Sequence, residues 1–101
     1  MGNRLDLQSK FEEILGSSNV YFQPPESIKL QYPCIVYELS GINVRRADDM
    51  AYTNMCQYTV TLIDPDPDCE FIDQVLKLNY CSFDRLFTSD DLNHYVFTIY
   101  Y

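Results

Sequence analysis

The most metal-like string in the sequence is "DPDPDCE". Here Asp64, Asp66 and Asp68 match the first, third and fifth positions of a calcium-binding loop. Such a loop also needs Gly at its sixth position and Glu at its twelfth, where this chain has Cys69 and Val75. The match fails at the residues that make the turn and complete the coordination. The string therefore predicts the end of a strand followed by the cap of a helix, with no metal and no other cofactor.

Two adjacent acidic pairs and one histidine are the remaining candidates for acid–base chemistry. Asp48 and Asp49 form one pair, Asp90 and Asp91 form the other, and both pairs lie in polar segments where Asp is a common turn former. His94 is the single histidine, and the sequence contains no G-x-S-x-G, Walker loop or H-E-x-x-H motif. We therefore predict solvated turns, a structural histidine and a protein that is not an enzyme.

The four cysteines, at positions 34, 56, 69 and 81, are widely spaced and include no C-x-x-C pair. This spacing excludes a zinc knuckle. The first residues, "MGNRLDLQSKFEEIL", are charged and amphipathic rather than typical of a secretory signal, and no run of about 18 apolar residues predicts a membrane span. The expectation is a reducing compartment without membrane contact, in which the cysteines are free thiols that pack as small hydrophobic side chains.

Length, charge and aromatic content limit the classes of function. A chain of 101 residues predicts one domain, 1–101, with a modest core. The formal net charge of −8 argues against sequence-independent binding to duplex DNA, which needs Lys and Arg to displace counterions, although a surface that DNA must pass without sticking should also be acidic. Nine Tyr and six Phe are many for so small a core, so we expect some of them at protein interfaces.

Hydrophobic periodicity predicts an α+β domain: a small antiparallel sheet with a long bent hairpin and two helices packed on one face. The first helix covers about 3–15, where one apolar stripe is followed by Gly16 as the stop signal. The second helix is predicted to start with Asp66 as its cap and Pro67 as its first residue, and to end near Asn79.

The strand pattern centres on a long hairpin. Its first arm starts at Cys34, and after Leu39 the apolar alternation slips by one position beside Gly41, which predicts a bulge. The return arm alternates from Cys56, and a polar tip, Arg45 to Asn54, is predicted to project from the core. Three further strands are predicted, at 20–22, at 83–88 and from His94 to the end of the chain.

The predicted tip brings basic and acidic side chains together in a chain with only seven Lys and Arg. Arg45, Arg46, Asp48, Asp49 and Tyr52 are the candidate interface residues. One interpretation is an ordinary solvated loop. The other is a self-complementary contact, in which the basic part of one copy meets the acidic part of the next and the copies close into a ring. Long hairpins also offer free edges that another subunit can extend.

Over nearly its whole length the chain resembles the tail-terminator, or tail-completion, neck proteins of long-tailed bacteriophages. The resemblance rests on "VYFQPP", "YPCIVYEL", "ADDMAYTNMCQYTVTLID" and "YCSFDRLFTSDDLNHYVFTIYY", together with an α-β-β-β-α-β order of elements.

The resemblance implies a small α+β protein that assembles in the host cytoplasm as a hexameric ring and becomes part of the virion. The ring caps the tail tube, stops its polymerisation and docks on the head connector or stopper protein, and DNA passes through the lumen. The tip residues would then lie at subunit contacts or at the interface with tube or head. Two alternatives stay open: a head-completion or stopper protein of the same neck, and an acidic inhibitor that mimics DNA. An enzyme, the third possibility, would show metal-dependent activity lost at Asp64 or Asp66.

Overall fold

The computed structural model describes residues 4–46, 52–78 and 80–101, with the backbone alone for 43–46 and 52–55. The elements are α1 (Arg4–Leu15), β1 (Val20–Phe22), β2 (Cys34–Arg46), β3 (Tyr52–Asp64), α2 (Ile72–Leu76), β4 (Cys81–Ser89) and β5 (Leu92–Tyr100). This order confirms the predicted α+β fold and its succession of helices and strands. Gly16, at φ +69°, follows α1 directly, as the sequence predicts.

One five-stranded sheet, in the order β1-β2-β3-β5-β4, carries the fold. Strand β2 pairs antiparallel with β3, and β5 pairs antiparallel with both β3 and β4. Strand β1 runs parallel to β2, so the sheet, antiparallel in its other pairings as predicted, is mixed at this edge. The cause is the segment 23–33, which carries Pro24 and Pro25. It returns the chain to the end of the sheet where β1 began, so β2 must run in the same direction.

Both helices pack on the same face of the sheet, here called the helix-side face, as predicted. Leu7 and Phe11 of α1 and Val75 of α2 are fully buried there. Nine strand residues complete this core: Val20, Ile35, Tyr37, Tyr58, Val60, Leu62, Tyr95, Phe97 and Ile99. Because side chains alternate along a strand, the residues between these point to the opposite face, here called the open face.

The predicted bulge is confirmed in β2. Leu39 pairs with Tyr58 and Gly41 with Gln57, so Ser40 is the extra residue, and its hydroxyl donates to the carbonyl oxygen of Gln57 at 3.1 Å. One additional residue returns the next apolar position to the helix-side face.

The strands of the hairpin are longer than the sequence predicts. Strand β2 continues to Arg46 and β3 begins at Tyr52, so the described residues of the predicted polar tip, Arg45 to Asn54, belong to paired strand. The strand pairing of the hairpin therefore continues into the predicted tip at both of its ends.

The second helix is shorter than predicted. It covers only Ile72–Leu76, and the residue at its N-cap is Phe71 rather than Asp66. The carboxylates of Asp64 and Asp66 instead accept the backbone N–H groups of Asp66 and Asp68, each at 2.9 Å. These local hydrogen bonds hold the segment in turns that compete with helix formation.

Candidate assembly surfaces

The β2–β3 hairpin extends beyond the rest of the sheet. Strand β5 pairs with β3 only from Gln57 to Asp64, and one further pair of backbone hydrogen bonds joins Cys56 to Tyr101. Residues 42–46 and 52–56, here called the hairpin arm, pair only with each other among the described residues, apart from the bonds between Cys56 and Tyr101. The arm therefore presents two strand edges without a neighbouring strand in the described structure.

The predicted interface residues lie at the end of this arm. Arg46 is the cross-strand partner of Tyr52, and Arg45 is the partner of Thr53, so the backbone brings these predicted residues together. Asp48 and Asp49 lie outside the described residues. The predicted contact between the basic and acidic parts of the tip stays a prediction.

The helix-side face of the arm begins with exposed apolar side chains. Leu39 is 41% exposed and Ile42, beyond the bulge, is 61% exposed. Strand β1 reaches only as far as the pair Phe22–Tyr37, so it leaves the rest of the outer edge of β2 uncovered. Beyond that pair, the side-chain oxygen of Gln23 accepts a hydrogen bond from the Leu39 N–H at 3.1 Å. Past Leu39, no described group bonds to the outer edge of β2.

A second uncovered surface lies at the opposite side of the sheet, on β4. From Ser82 to Ser89 every residue of this strand is exposed, although it includes Phe83, Leu86 and Phe87. Strand β4 lies at the edge of the sheet, and its first residue, Cys81, packs against the core. Exposed apolar residues in a row along an edge strand are typical of an interaction surface.

Sequence reasoning found strand β4 but not its exposure. The string "SFDRLFTS" does not alternate, because Asp84 and Arg85 interrupt its apolar residues. In the structure Asp84 is the extra residue of a second bulge, and its carboxylate accepts the Thr98 hydroxyl at 2.6 Å. A charged pair inside an apolar strand is the signal that marks an edge position.

An aromatic stack lies on the open face of the same edge. The Phe87 and His94 rings are parallel within 10°, with centroids 4.6 Å apart, and the Arg85 guanidinium lies 5.6 Å from the Phe87 ring. His94 Nδ1 donates to the carbonyl oxygen of Leu92 at 3.1 Å. The two ring nitrogens are therefore not equivalent, and one of them is engaged by the backbone.

Those acidic residues singled out in the sequence that the structure describes form two turns at one end of the sheet. Asp90 and Asp91, at φ +54° and +61°, make a two-residue turn between β4 and β5, so the predicted turn is confirmed. The nearby side chain of Asn93 donates to the carbonyl oxygen of Asp64 at 3.1 Å. Within the described ranges, no group of three or more His, Cys, Asp or Glu side chains is arranged to hold a metal ion.

All four cysteines are free, as predicted. Cys34 is fully buried and the other three are half-buried, so they pack largely as small hydrophobic side chains. Burial raises the pKa of the Cys34 thiol to about 12, and it raises the pKa values of Cys69 and Cys81 to about 11 each. Thiols with such high pKa values are poor nucleophiles at neutral pH, because little thiolate is present.

One partly buried polar cluster joins α1 to the sheet, and no motif in the sequence predicts it. The Tyr37 hydroxyl donates to Gln8 Oε1 at 2.9 Å, and Arg4 Nη1 donates to the same oxygen at 3.0 Å and to the Tyr37 hydroxyl at 3.2 Å. The Arg4 guanidinium also lies 4.5 Å from the centre of the Phe22 ring. Each member satisfies another, so the cluster fits a structural role.

No family model matches this chain, and no curated protein shows significant similarity to it. No helix in the described part of the chain is long and apolar enough to cross a membrane.

Proposed function

We propose that this chain is a structural virion protein, a ring-forming tail terminator that caps the tail tube of a long-tailed bacteriophage and joins it to the head connector. The observation that carries the proposal is the pair of uncovered strand surfaces, one on the hairpin arm and one on β4. Burying such surfaces against another chain removes apolar area from water and satisfies the backbone groups of the edge.

The two surfaces differ from each other, and this favours a ring. A contact between unlike surfaces is heterologous: each copy uses one surface toward the copy before it and the other toward the copy after it. When the rotation between copies closes, the product is a ring. The proposed number of six copies comes from the resemblance to tail terminators.

The charge of the chain supports a lumen that DNA passes without binding. Six copies carry 6 × (−8) = −48 formal charges. Many of the acidic side chains are exposed, including those of Asp66, Asp68, Asp90 and Asp91. An acidic wall repels the phosphate backbone and therefore does not retain DNA during its passage.

The roles of the candidate catalytic groups support a structural protein over an enzyme. The Asp64 and Asp66 carboxylates accept local backbone N–H groups, and His94 combines a backbone hydrogen bond with a ring stack. Asp90 and Asp91 define a turn. We accordingly propose neither catalysis nor a cofactor.

The position of the acidic turns also favours assembly over DNA mimicry. A mimic needs carboxylates spaced like phosphates along one continuous face. Asp66 and Asp68 lie in one turn and Asp90 and Asp91 in another, both at the same end of the sheet. Such an arrangement gives a compact acidic end rather than an extended acidic strip.

The proposal is tested by interrupting the gene in a phage that encodes this chain. Without a terminator the tube continues to polymerise, so we expect tails of irregular, excessive length beside separate filled heads in electron micrographs. Plasmid-borne wild-type protein should restore joined particles of normal tail length. Tails of normal length beside unjoined heads would instead indicate the head-completion or stopper role, and normal infectious particles would contradict a neck function altogether.

A further inference from the structure

We propose that copies of this chain join by strand addition, with the outer edge of β4 in one copy pairing antiparallel with the outer edge of β2 on the hairpin arm of the next copy. One continuous sheet would then run from copy to copy. The inference rests on the proposed function, since it names the two surfaces that join the ring. Its occupant is a second copy of this chain.

The backbone of β4 is available for this pairing. The Tyr100 N–H donates to the Tyr80 carbonyl oxygen at 3.1 Å, so at this register position the backbone groups point toward β5. Because direction alternates along a strand, the N–H and C=O groups of Cys81 and Phe83 point outward. Beyond the bulge at Asp84, the cross-strand pairs shift the phase, and Leu86 and Thr88 point outward.

The backbone of the arm is available in the same way. Gln23 N–H donates to the Tyr37 carbonyl oxygen at 3.0 Å, so the groups of Tyr37 point toward β1. The extra residue Ser40 shifts the phase, and Gly41, opposite Gln57, points toward β3. The N–H and C=O groups of Ile42 therefore point outward, past the end of β1.

Strand direction makes the two edges compatible. Strands β2, β3, β5 and β4 alternate in direction across the sheet, so β4 and β2 run oppositely. They also form opposite sides of the sheet wherever β1 does not cover β2. A neighbouring copy placed with the same orientation brings its β2 beside β4 as the next antiparallel strand, and the alternation continues unbroken.

The exposed side chains of the two edges lie on the same face. Phe83 and Leu86, 46% and 57% exposed, share the helix-side face with their cross-strand partners Phe97 and Tyr95. Ile42 lies on that face too, opposite Cys56, which packs against the core. Pairing of the edges places these apolar side chains next to each other, and their mutual burial stabilises the contact.

The short strand β1 fixes the relative height of neighbouring copies. Arg85 and Val36 lie at the same height in the sheet, because Arg85 pairs with Val96, Val96 with Thr61 and Thr61 with Val36. At this height β1 covers the outer edge of β2. The neighbour's arm must therefore be shifted along the strand direction by about seven residues, or ~24 Å. A closed sheet with such a stagger has strands tilted to its axis, as in β-barrels.

Two variants, each blocking one edge, test the inference. Leu86→Lys blocks β4, and Ile42→Lys blocks the arm. In each variant the joining of the strands would bury an unpaired lysine on the helix-side face of the junction. Leu5→Lys is the matched control, since Leu5 is an equally exposed leucine, 63% against 57%, on α1. Thr88→Pro is a second variant that blocks β4, because it removes only a backbone N–H that points outward. Thermal melts followed by circular dichroism establish that each variant is folded.

Sedimentation velocity then measures the size of the assembly at protein concentrations up to ~1 mM. This concentration range detects association even when the Kd is weaker than micromolar. We expect the wild type and Leu5→Lys to form the large assembly, and each edge variant alone to be monomeric. A mixture of Leu86→Lys with Ile42→Lys should form a 1:1 dimer and nothing larger, because each retains the edge that the other lacks.

Three results would overturn strand addition: a wild type that is monomeric throughout, an Ile42→Lys variant that dimerises alone, or an edge variant that still forms the full assembly. The last result would leave the proposed function standing if the assembly is a six-fold ring. Conversely, a 1:1 mixed dimer together with a wild-type assembly that is not a ring would support strand addition and remove support for the terminator.

Discussion

At the residue scale, the polar groups of this chain serve its own fold. Arg4, Gln8 and Tyr37 satisfy one another between α1 and the sheet. The sequence could not predict this cluster, because its members are 4 and 29 positions apart and no local pattern connects them. The turn role of Asp90 and Asp91 was predictable, since adjacent Asp residues between two apolar runs favour a tight turn.

Burial of thiols makes the stability of the chain depend on alkaline pH. The pKa of Cys34 is raised from 9.0 to about 12 by burial. Above pH 9 the unfolded chain releases the thiol proton while the folded chain keeps it, so the free energy of unfolding falls as pH rises from 9 toward 12. We expect Cys34→Ala to make this fall shallower, measured by urea unfolding at pH 7, 9 and 10.5.

Ile35→Val is the control for the cysteine variant, because Ile35 is equally buried and does not ionise. Both variants should lower the free energy of unfolding at pH 7 by about 1 kcal/mol. Only Cys34→Ala should change the slope with pH. Equal slopes for wild type and Cys34→Ala would show that this thiol does not contribute.

At the element scale, strong hydrophobic periodicity predicts the helices and strands of the fold correctly. The errors lie where local side-chain hydrogen bonds compete with a regular element. The apolar stripe of α1 and the alternation in β2 and β3 gave these elements, and the phase slip beside Gly41 gave the bulge. The start of α2 was mispredicted, because hydrogen bonds from Asp64 and Asp66 hold turns there. The exposure of β4 follows from its edge position in the sheet, and the strand itself carries only the charged pair Asp84 and Arg85 as a sign of it.

The turn between β4 and β5 offers a stabilising substitution. Asp91 has a φ of +61°, a conformation in which glycine is not strained. We expect Asp91→Gly to raise the free energy of unfolding by about 0.5–1 kcal/mol, measured by chemical denaturation. Asp91→Ala removes the same charge but keeps a Cβ, so it should destabilise. If Asp91→Ala also stabilised the protein, the gain in Asp91→Gly would come from the loss of charge rather than from the backbone conformation.

At the scale of the whole molecule, the chain places its large side chains unevenly. Of its aromatic residues, Phe11, Tyr37, Tyr58, Tyr95 and Phe97 fill the core. Among the residues whose side chains are described, four others are exposed, Tyr32, Tyr80, Phe83 and Phe87, and the last two lie on the edge strand. The expectation that so small a core could not take every ring is therefore confirmed. In the proposed ring, a sister copy covers the exposed rings of the edge strand.

The central claim is that sister copies cover these surfaces in a closed six-fold ring. The most direct measurement is cryo-electron microscopy of the purified full chain, with its mass determined in parallel by light scattering. We predict rings with a central hole, six-fold symmetry and a mass of 6 × 11.9 kDa, about 71 kDa. Compact particles of one or two copies at every concentration, with the arm and β4 in contact with solvent alone, would contradict it.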